Sequence, residues 1–229
     1  MTDLAHRLGA SSRLRFYDVW SLSEPELLSM IPRPVYGLLA TIPMTEAWKR
    51  DRDNEDSQTE WYTGAGSDEP VIWFQQTVID GCGLIGLIHC LCNGVPSQMI
   101  ASGSELAKFI DKATPLHMND RALLLDETES LYEMSEASAI KGDTFVVDRD
   151  AVDKPKNHFL ALVQGKNDVL WELEGSRKGP LNRGTLIGAN DALSDQALDM
   201  GIRRLVKIQQ GVGESTRFSC IALALDPDE

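Results

Sequence analysis

The sequence predicts a layered fold in which a sheet packs against helices. Three observations predict it. Strand-like and helix-like segments intermix along 229 residues, a length that suits one domain. Hydrophobic residues make up 42% of the chain and charged residues 25%, as in ordinary globular proteins. The apolar runs are short, well bounded, and free of any internal repeat.

In chain order, residues 3–9 read as a short helix end stopped by Gly9. "LRFYDVW" (14–20) mixes aromatic and β-branched residues and reads as a strand. "SEPELLSMI" starts a helix, with Ser23 as N-cap and Glu24 and Pro25 in the first turn. "RPVYGLLATIP" (33–43) is an apolar run bounded by prolines, hence a buried strand. Residues 49–70, "KRDRDNEDSQTEWYTGAGSDEP", are charged or turn-forming almost throughout and read as an exposed, disordered loop. "VIWFQQTV" (71–78) is extended. "SGSELAKFIDKA" (102–113) and "NDRALLLDETESLYEMSEASAI" (119–140) are two helices with polar faces. "TFVVD" (144–148) is a strand and 149–157 a polar loop. "HFLALV" and "VLWELE" are strands joined by "QGKND". Residues 194–210 form a helix capped by Ser194, and "FSCIALAL" (218–225) closes the chain as a buried strand.

Composition excludes several classes. No stretch of about 18 apolar residues is present to span a membrane. "MTDLAHRLGA" lacks the apolar core of a secretory signal. Three of the four cysteines (Cys82, Cys90, Cys92 and Cys220) crowd into one segment, which suits reduced thiols in the cytoplasm or nucleus. The formal net charge of −13 should repel nucleic acid and anionic lipid and attract a basic partner.

One segment carries chemistry. Residues 75–94, "QQTVIDGCGLIGLIHCLCNG", place Cys82 between two glycines at the start of an almost uniformly apolar run closed by Asn93-Gly94. A helix apolar on nearly every face must be buried, so its N-terminus points out of the core. Unpaired N–H groups and the helix dipole favour a thiolate there. A nucleophilic thiol needs a histidine within hydrogen-bond reach. His89 lies two turns on, about 10 Å along the axis, too far for proton transfer. His6 and His117 have no orienting neighbour in the sequence. His158 opens the strand "HFLALV", and a hairpin centred on Lys166 sets it opposite Glu174, with Cβ atoms about 5 Å apart. A carboxylate there can hold one imidazole nitrogen and leave the other for the thiol. Gln76, six residues before Cys82, could donate to a developing oxyanion beside the Cys82 N–H.

These residues resemble the active-site motif of the ubiquitin carboxyl-terminal hydrolase family: a glutamine, a cysteine six residues later, then Gly-x-Ile-Gly-Leu-Ile-His. "LLSMIPRPVYGLLATIPMTE" (27–46), "NHFLALVQGKNDVLWELEGSRKGPLNRG" (157–184) and "FSCIALAL" match further stretches, so the resemblance runs over essentially all of residues 1–229 as a single catalytic domain. It implies an α+β, papain-like cysteine protease fold, with a mostly antiparallel central sheet between helical layers and a knotted backbone. It implies Cys82 as nucleophile, His158 as general base, Gln76 in the oxyanion hole and a non-catalytic His89. The family's third member is an aspartate; here the position is Glu174. Aspartate restored at that position is therefore expected to keep activity. The family's N-terminal Pro-Leu-Glu strand has no counterpart in the chain.

The implied activity is a thiol-dependent deubiquitinating hydrolase, acting as a monomer without metal or cofactor on ubiquitin's C-terminal glycine. Ubiquitin's basic face around its tail suits the acidic chain. Residues 142–157 match a crossover loop that spans the active site, which implies small or unfolded leaving groups. Two alternatives stand beside this reading: a ubiquitin-binding protein with weak or lost catalysis, and a hydrolase of a related modifier such as Nedd8.

Overall fold

The computed structural model describes residues 1–78, 81–140, 157–188, 190–210 and 218–227. Its elements, in order, are α1 (Thr2–Leu8), β1 (Leu14–Asp18), α2 (Pro25–Ser29), β2 (Val35–Pro43), α3 (Glu46–Ser57), α4 (Cys82–Asn93), α5 (Glu105–Ala113), α6 (Met118–Glu127) and α7 (Glu129–Ala139). Then come β3 (Asn157–Gln164), β4 (Val169–Leu173), β5 (Leu181–Thr185), α8 (Asp195–Met200), α9 (Ile202–Gln210) and β6 (Ser219–Leu225). The six strands form one sheet in the order β1-β6-β2-β3-β4-β5, and every adjacent pair is antiparallel.

Strand periodicity divides the core into two layers. On β3, Ala161 and Val163 join one apolar cluster with Ile85 and Ile88 of α4 and Phe109 of α5. Leu160 and Leu162, the alternate residues, join a second cluster with Trp48 of α3, Leu198 of α8 and Leu205 of α9. Side chains of period two therefore reach opposite faces, and both faces are covered by helices, as a sheet apolar on both sides requires. Helix α4 is the centre of the first layer: Leu84 through Leu91 are all buried. Its closing Gly94 is not left-handed, contrary to the usual reason for a glycine there. Close approach selects it instead, since a Cβ would lie 2.0 Å from the Tyr36 carbonyl oxygen.

Several expectations are corrected. The run 46–57 is helix α3 rather than disordered loop, started by Thr45, whose hydroxyl accepts from the Trp48 N–H at 3.2 Å. Residues 58–70 are irregular but anchored. Buried Arg121 donates to Glu69 at 2.9 Å and to the Ala113 carbonyl at 2.9 Å. Among the described residues, 71–78 pair with no strand. Their backbone is satisfied by side chains and a turn: Asn93 accepts from Ile72 N–H, His89 from Phe74 N–H, and the Gly175 carbonyl from Gln76 N–H. The expected helix 119–140 divides into α6 and α7 at Thr128, whose hydroxyl donates to the Leu124 carbonyl at 2.6 Å. The expected helix 194–210 divides at Gly201 into α8 and α9, with Ser194 capping α8. Ser21, not Ser23, accepts the N–H groups before α2. Strand β5 had no counterpart among the expected elements. The expected strand 144–148 and, Asn157 apart, the crossover stretch lie outside the described residues.

Candidate active site

Cys82 is the first residue of α4. Its N-cap, Gly81, has no side chain to offer the first turn, so the opening N–H groups of a buried helix lie at the thiol's end of it. The same end packs on the start of β3: the Phe159 ring lies 3.6 Å from where a Cβ on Gly83 would sit. The residues after Cys82 and after His158 are thus in contact across the α4–β3 interface.

His158 is almost wholly buried near the start of β3, paired with Ile42 of β2. Its Nε2 lies 2.5 Å from Glu174 Oε1. This directs Nδ1, the other nitrogen, away from the carboxylate and available to a thiol. The hairpin that joins the two residues is centred on Asn167, not Lys166: Ala161 pairs with Leu173 and Gln164 with Leu170. Asn167 and Asp168 turn it with φ of 66° and 58°. The register therefore differs by two residues from the expected one. A shift of two preserves the face, because side chains alternate with period two. Glu174 lies just beyond β4 and outside the β3–β4 ladder, which ends at Ala161 and Leu173; the register carried on sets it two residues off the position opposite His158. The long glutamate side chain reaches the imidazole across that offset.

The carboxylate is tightly held. The Ser176 N–H donates to Glu174 Oε1 at 2.8 Å, and Trp73 Nε1 donates to the Glu174 carbonyl at 3.3 Å. Burial pushes the Glu174 carboxyl up, but the hydrogen bond and charge of His158 and the bonds from Ser176 outweigh burial and leave it below the usual carboxylate range. Gln76 enters through the turn after Glu174. Its N–H donates to the Gly175 carbonyl at 2.8 Å, and a Cβ on Gly175 would lie 2.9 Å from Gln76 Cβ, so only glycine admits this approach. One Gln76 amide N–H donates to the Val78 carbonyl at 2.9 Å.

The structure thus brings His158, Glu174 and the backbone of Gln76 together at the start of β3 and the turn after β4, and sets the Cys82 end of α4 against the same strand through Gly83 and Phe159. The remaining histidines stand apart. His89 accepts from the Phe74 N–H at 2.9 Å, and burial pushes its imidazole down to about 3, so it stays neutral. His6 and His117 do have orienting contacts, to the carbonyls of Leu14 and Thr63. The other thiols are raised by burial: the half-buried Cys92 and the buried Cys220 to about 12, and the buried Cys90 higher still. Among the described residues no cluster of side chains suits a metal ion. An arrangement of this kind can take a thiol proton, hold it as an imidazolium against a carboxylate, and return it to a leaving group.

Sequence reasoning missed the support behind this pair. The Trp48 ring of α3 packs 6.0 Å from the His158 ring, and Arg52 stacks 5.1 Å over Trp48. Arg177 stands behind Glu174 at 3.9 Å. The one local signal was the spacing of Arg177, three residues after Glu174.

Comparison with known proteins identifies the family and the fold. The family model described as ubiquitin carboxyl-terminal hydrolase, family 1, matches residues 1–207. Ubiquitin carboxyl-terminal hydrolase isozyme L1 of Equus caballus is 31% identical over 217 residues, covering 95% of this chain and 90% of the relative. The Homo sapiens isozyme L1 gives the same identity and coverage. An Aplysia californica ubiquitin carboxyl-terminal hydrolase is 30% identical over 194 residues, 84% of each chain. Among solved structures, the Trichinella spiralis UCH37 catalytic domain bound to ubiquitin vinyl methyl ester superposes with a TM-score of 0.71. It is 23% identical, over 98% of this chain and 90% of its own, and shows that the fold is shared.

Proposed function

The chain belongs to family 1 of the ubiquitin carboxyl-terminal hydrolases, and from that premise we propose that it is a thiol-dependent deubiquitinating hydrolase with Cys82 as nucleophile, His158 as general base, Glu174 as its orienter and Gln76 as oxyanion donor. The observation that carries the residue assignment is the buried 2.5 Å contact between His158 and Glu174, on the strand that packs against the Cys82 end of α4. His158 Nδ1 takes the Cys82 proton. The thiolate attacks the carbonyl carbon of ubiquitin's C-terminal glycine, and the oxyanion is met by the Cys82 N–H and the Gln76 amide. The C–N bond breaks as the imidazolium protonates the leaving amine. Water, deprotonated by His158, then cleaves the thioester and restores the thiol. Glu174 stabilises the imidazolium throughout.

Incubation with a fluorogenic ubiquitin-amide and, separately, with a ubiquitin-based thiol-reactive probe tests the reading. Hydrolysis is expected, with the probe's mass added at the peptide containing Cys82. A protein that binds ubiquitin but neither hydrolyses the amide nor takes up the probe would overturn it. The same assay with Nedd8-amide ranks the two modifiers, and ubiquitin is expected to be preferred. Adducts are expected to be small or unfolded, as the resemblance of residues 142–157 to the crossover loop implies, and the enzyme to act as a monomer in the cytoplasm or nucleus.

Gln76→Ala is expected to lower kcat about 10²-fold with KM nearly unchanged, because an oxyanion donor acts mainly in the transition state. A loss wholly in KM would make Gln76 a binding residue. Association with ubiquitin is expected to slow steeply between low and high salt, as for an acidic enzyme with a net charge of −13 meeting a basic face. Stopped-flow binding rates that are flat with ionic strength would remove electrostatic steering from recognition.

A further inference from the structure

We propose that Arg177 is a positioning residue for this reaction: anchored by carboxylates of α3, its guanidinium keeps Glu174 ionised and aimed at His158. The proposal rests on the hydrolase reading and extends it to a residue outside the reacting groups.

The guanidinium is 1% exposed and lies among four carboxylates. Glu55 and Asp56 of α3 are 2.8 and 3.1 Å away, Glu172 of β4 is at 3.8 Å and Glu174 at 3.9 Å. Arg177 Nε and Glu174 Oε2 face each other across that last gap, and neither has a hydrogen-bond partner among the described residues. The gap is too long for a hydrogen bond and too short for a bridging water, but well within Coulomb range at a buried site. Without the cation, the buried Glu174 would lose a positive charge 3.9 Å from its Oε2, and burial favours the neutral acid. A protonated Glu174 no longer stabilises an imidazolium.

The anchoring helix is aligned with the site along one face. Trp48 touches His158, Arg52 donates to the Ser176 hydroxyl at 3.1 Å, and Glu55 and Asp56 hold Arg177. Residues at spacings of three and four share a helix face, so α3 contacts the imidazole, the turn that fixes Glu174 and the cation behind it in one line. Arg183 and Arg204 bind the same Glu55 from β5 and α9, which fixes α3 further.

A double-mutant cycle tests the proposal. Arg177→Met and Arg177→Lys are made in the parent and in Glu174→Gln. Two readouts are taken: kcat and KM on ubiquitin-amide, and the rate of Cys82 alkylation by iodoacetamide at pH 6.5, followed by peptide mass. Arg177→Met is expected to lower kcat and the alkylation rate by about 10-fold or more, with KM within about 2-fold, and Arg177→Lys to restore most of the loss. In Glu174→Gln, Arg177→Met should cost nothing further. An equal loss in both backgrounds, or an unchanged alkylation rate, would make Arg177 a stability residue only. Should Arg177→Met fail to fold, Glu55→Gln carries the same cycle, with an expected loss of about 5-fold that vanishes in Glu174→Gln. A parent that alkylates as described but leaves ubiquitin-amide intact would defeat the hydrolase reading and leave the positioning role standing.

Discussion

Cys82→Ser is expected to abolish ubiquitin-amide hydrolysis, with a fall of about 10⁴-fold or more, while ubiquitin binding stays within a few-fold. A hydroxyl keeps nearly the volume of the thiol but ionises far less readily, so the imidazole at the start of β3 would have no thiolate to form. The opening turn of α4 would remain in place. The converse is as specific. Cys90→Ser and Cys92→Ser are expected to keep activity. Burial raises both thiols far from ionisation at neutral pH, and the Cys90 thiol already donates to the Leu38 carbonyl at 3.7 Å. Turnover by Cys82→Ser, or its loss in Cys90→Ser with Cys82 intact, would move the nucleophile elsewhere.

Glu174→Gln is expected to lower kcat by about 10²-fold or more, because an amide can hold His158 in the wrong tautomer and offers no charge to the imidazolium. Glu174→Asp is expected to fall between the two. The family aspartate suggests that this swap keeps activity, but the hairpin register reverses that expectation. Glu174 reaches His158 across a two-residue offset from the carried-on register, and one methylene fewer shortens that reach to Nε2. The pH dependence has a definite sign. The folded Glu174 carboxyl lies below its unfolded value, so the stability that it contributes is present above the ordinary carboxylate range and is lost as pH falls through the depressed value. Thermal melts of the parent and Glu174→Gln should therefore differ at neutral pH and converge in acid. Parental turnover in Glu174→Gln would remove the carboxylate from the mechanism.

Much of the site was legible because its signals are local. An apolar run that must be buried, started by a cysteine between glycines, gives α4 and the direction of its N-terminus from a dozen neighbouring residues. The distance along a helix excludes His89, and the structure gives that ring a separate task as acceptor for Phe74. The pairing of His158 with Glu174 was also legible, though by a register two residues off. It survived because a two-residue shift keeps the alternation of faces, whereas a shift of one would have sent Glu174 to the opposite face of the sheet.

By itself, then, the sequence determined the strands other than β5, the buried helix, the thiol at its mouth and the residues proposed to meet it, since burial patterns depend on neighbours a turn or a strand away. Only the tertiary structure decided that "EAWKRDRDNEDS" is a helix and that it braces the site. Beyond Ala47 and Trp48 the segment is polar on every side, so it has no continuous apolar face to announce a helix. Its stabilising partners are distant cations: Arg177 and Arg183 lie 122 and 128 residues from Glu55, and Arg204 lies 153 residues from Asp51. A charge in sequence carries no mark of whether water or a buried guanidinium will face it. The sheet makes that choice when it brings β5, α9 and the turn after β4 to the same side as α3.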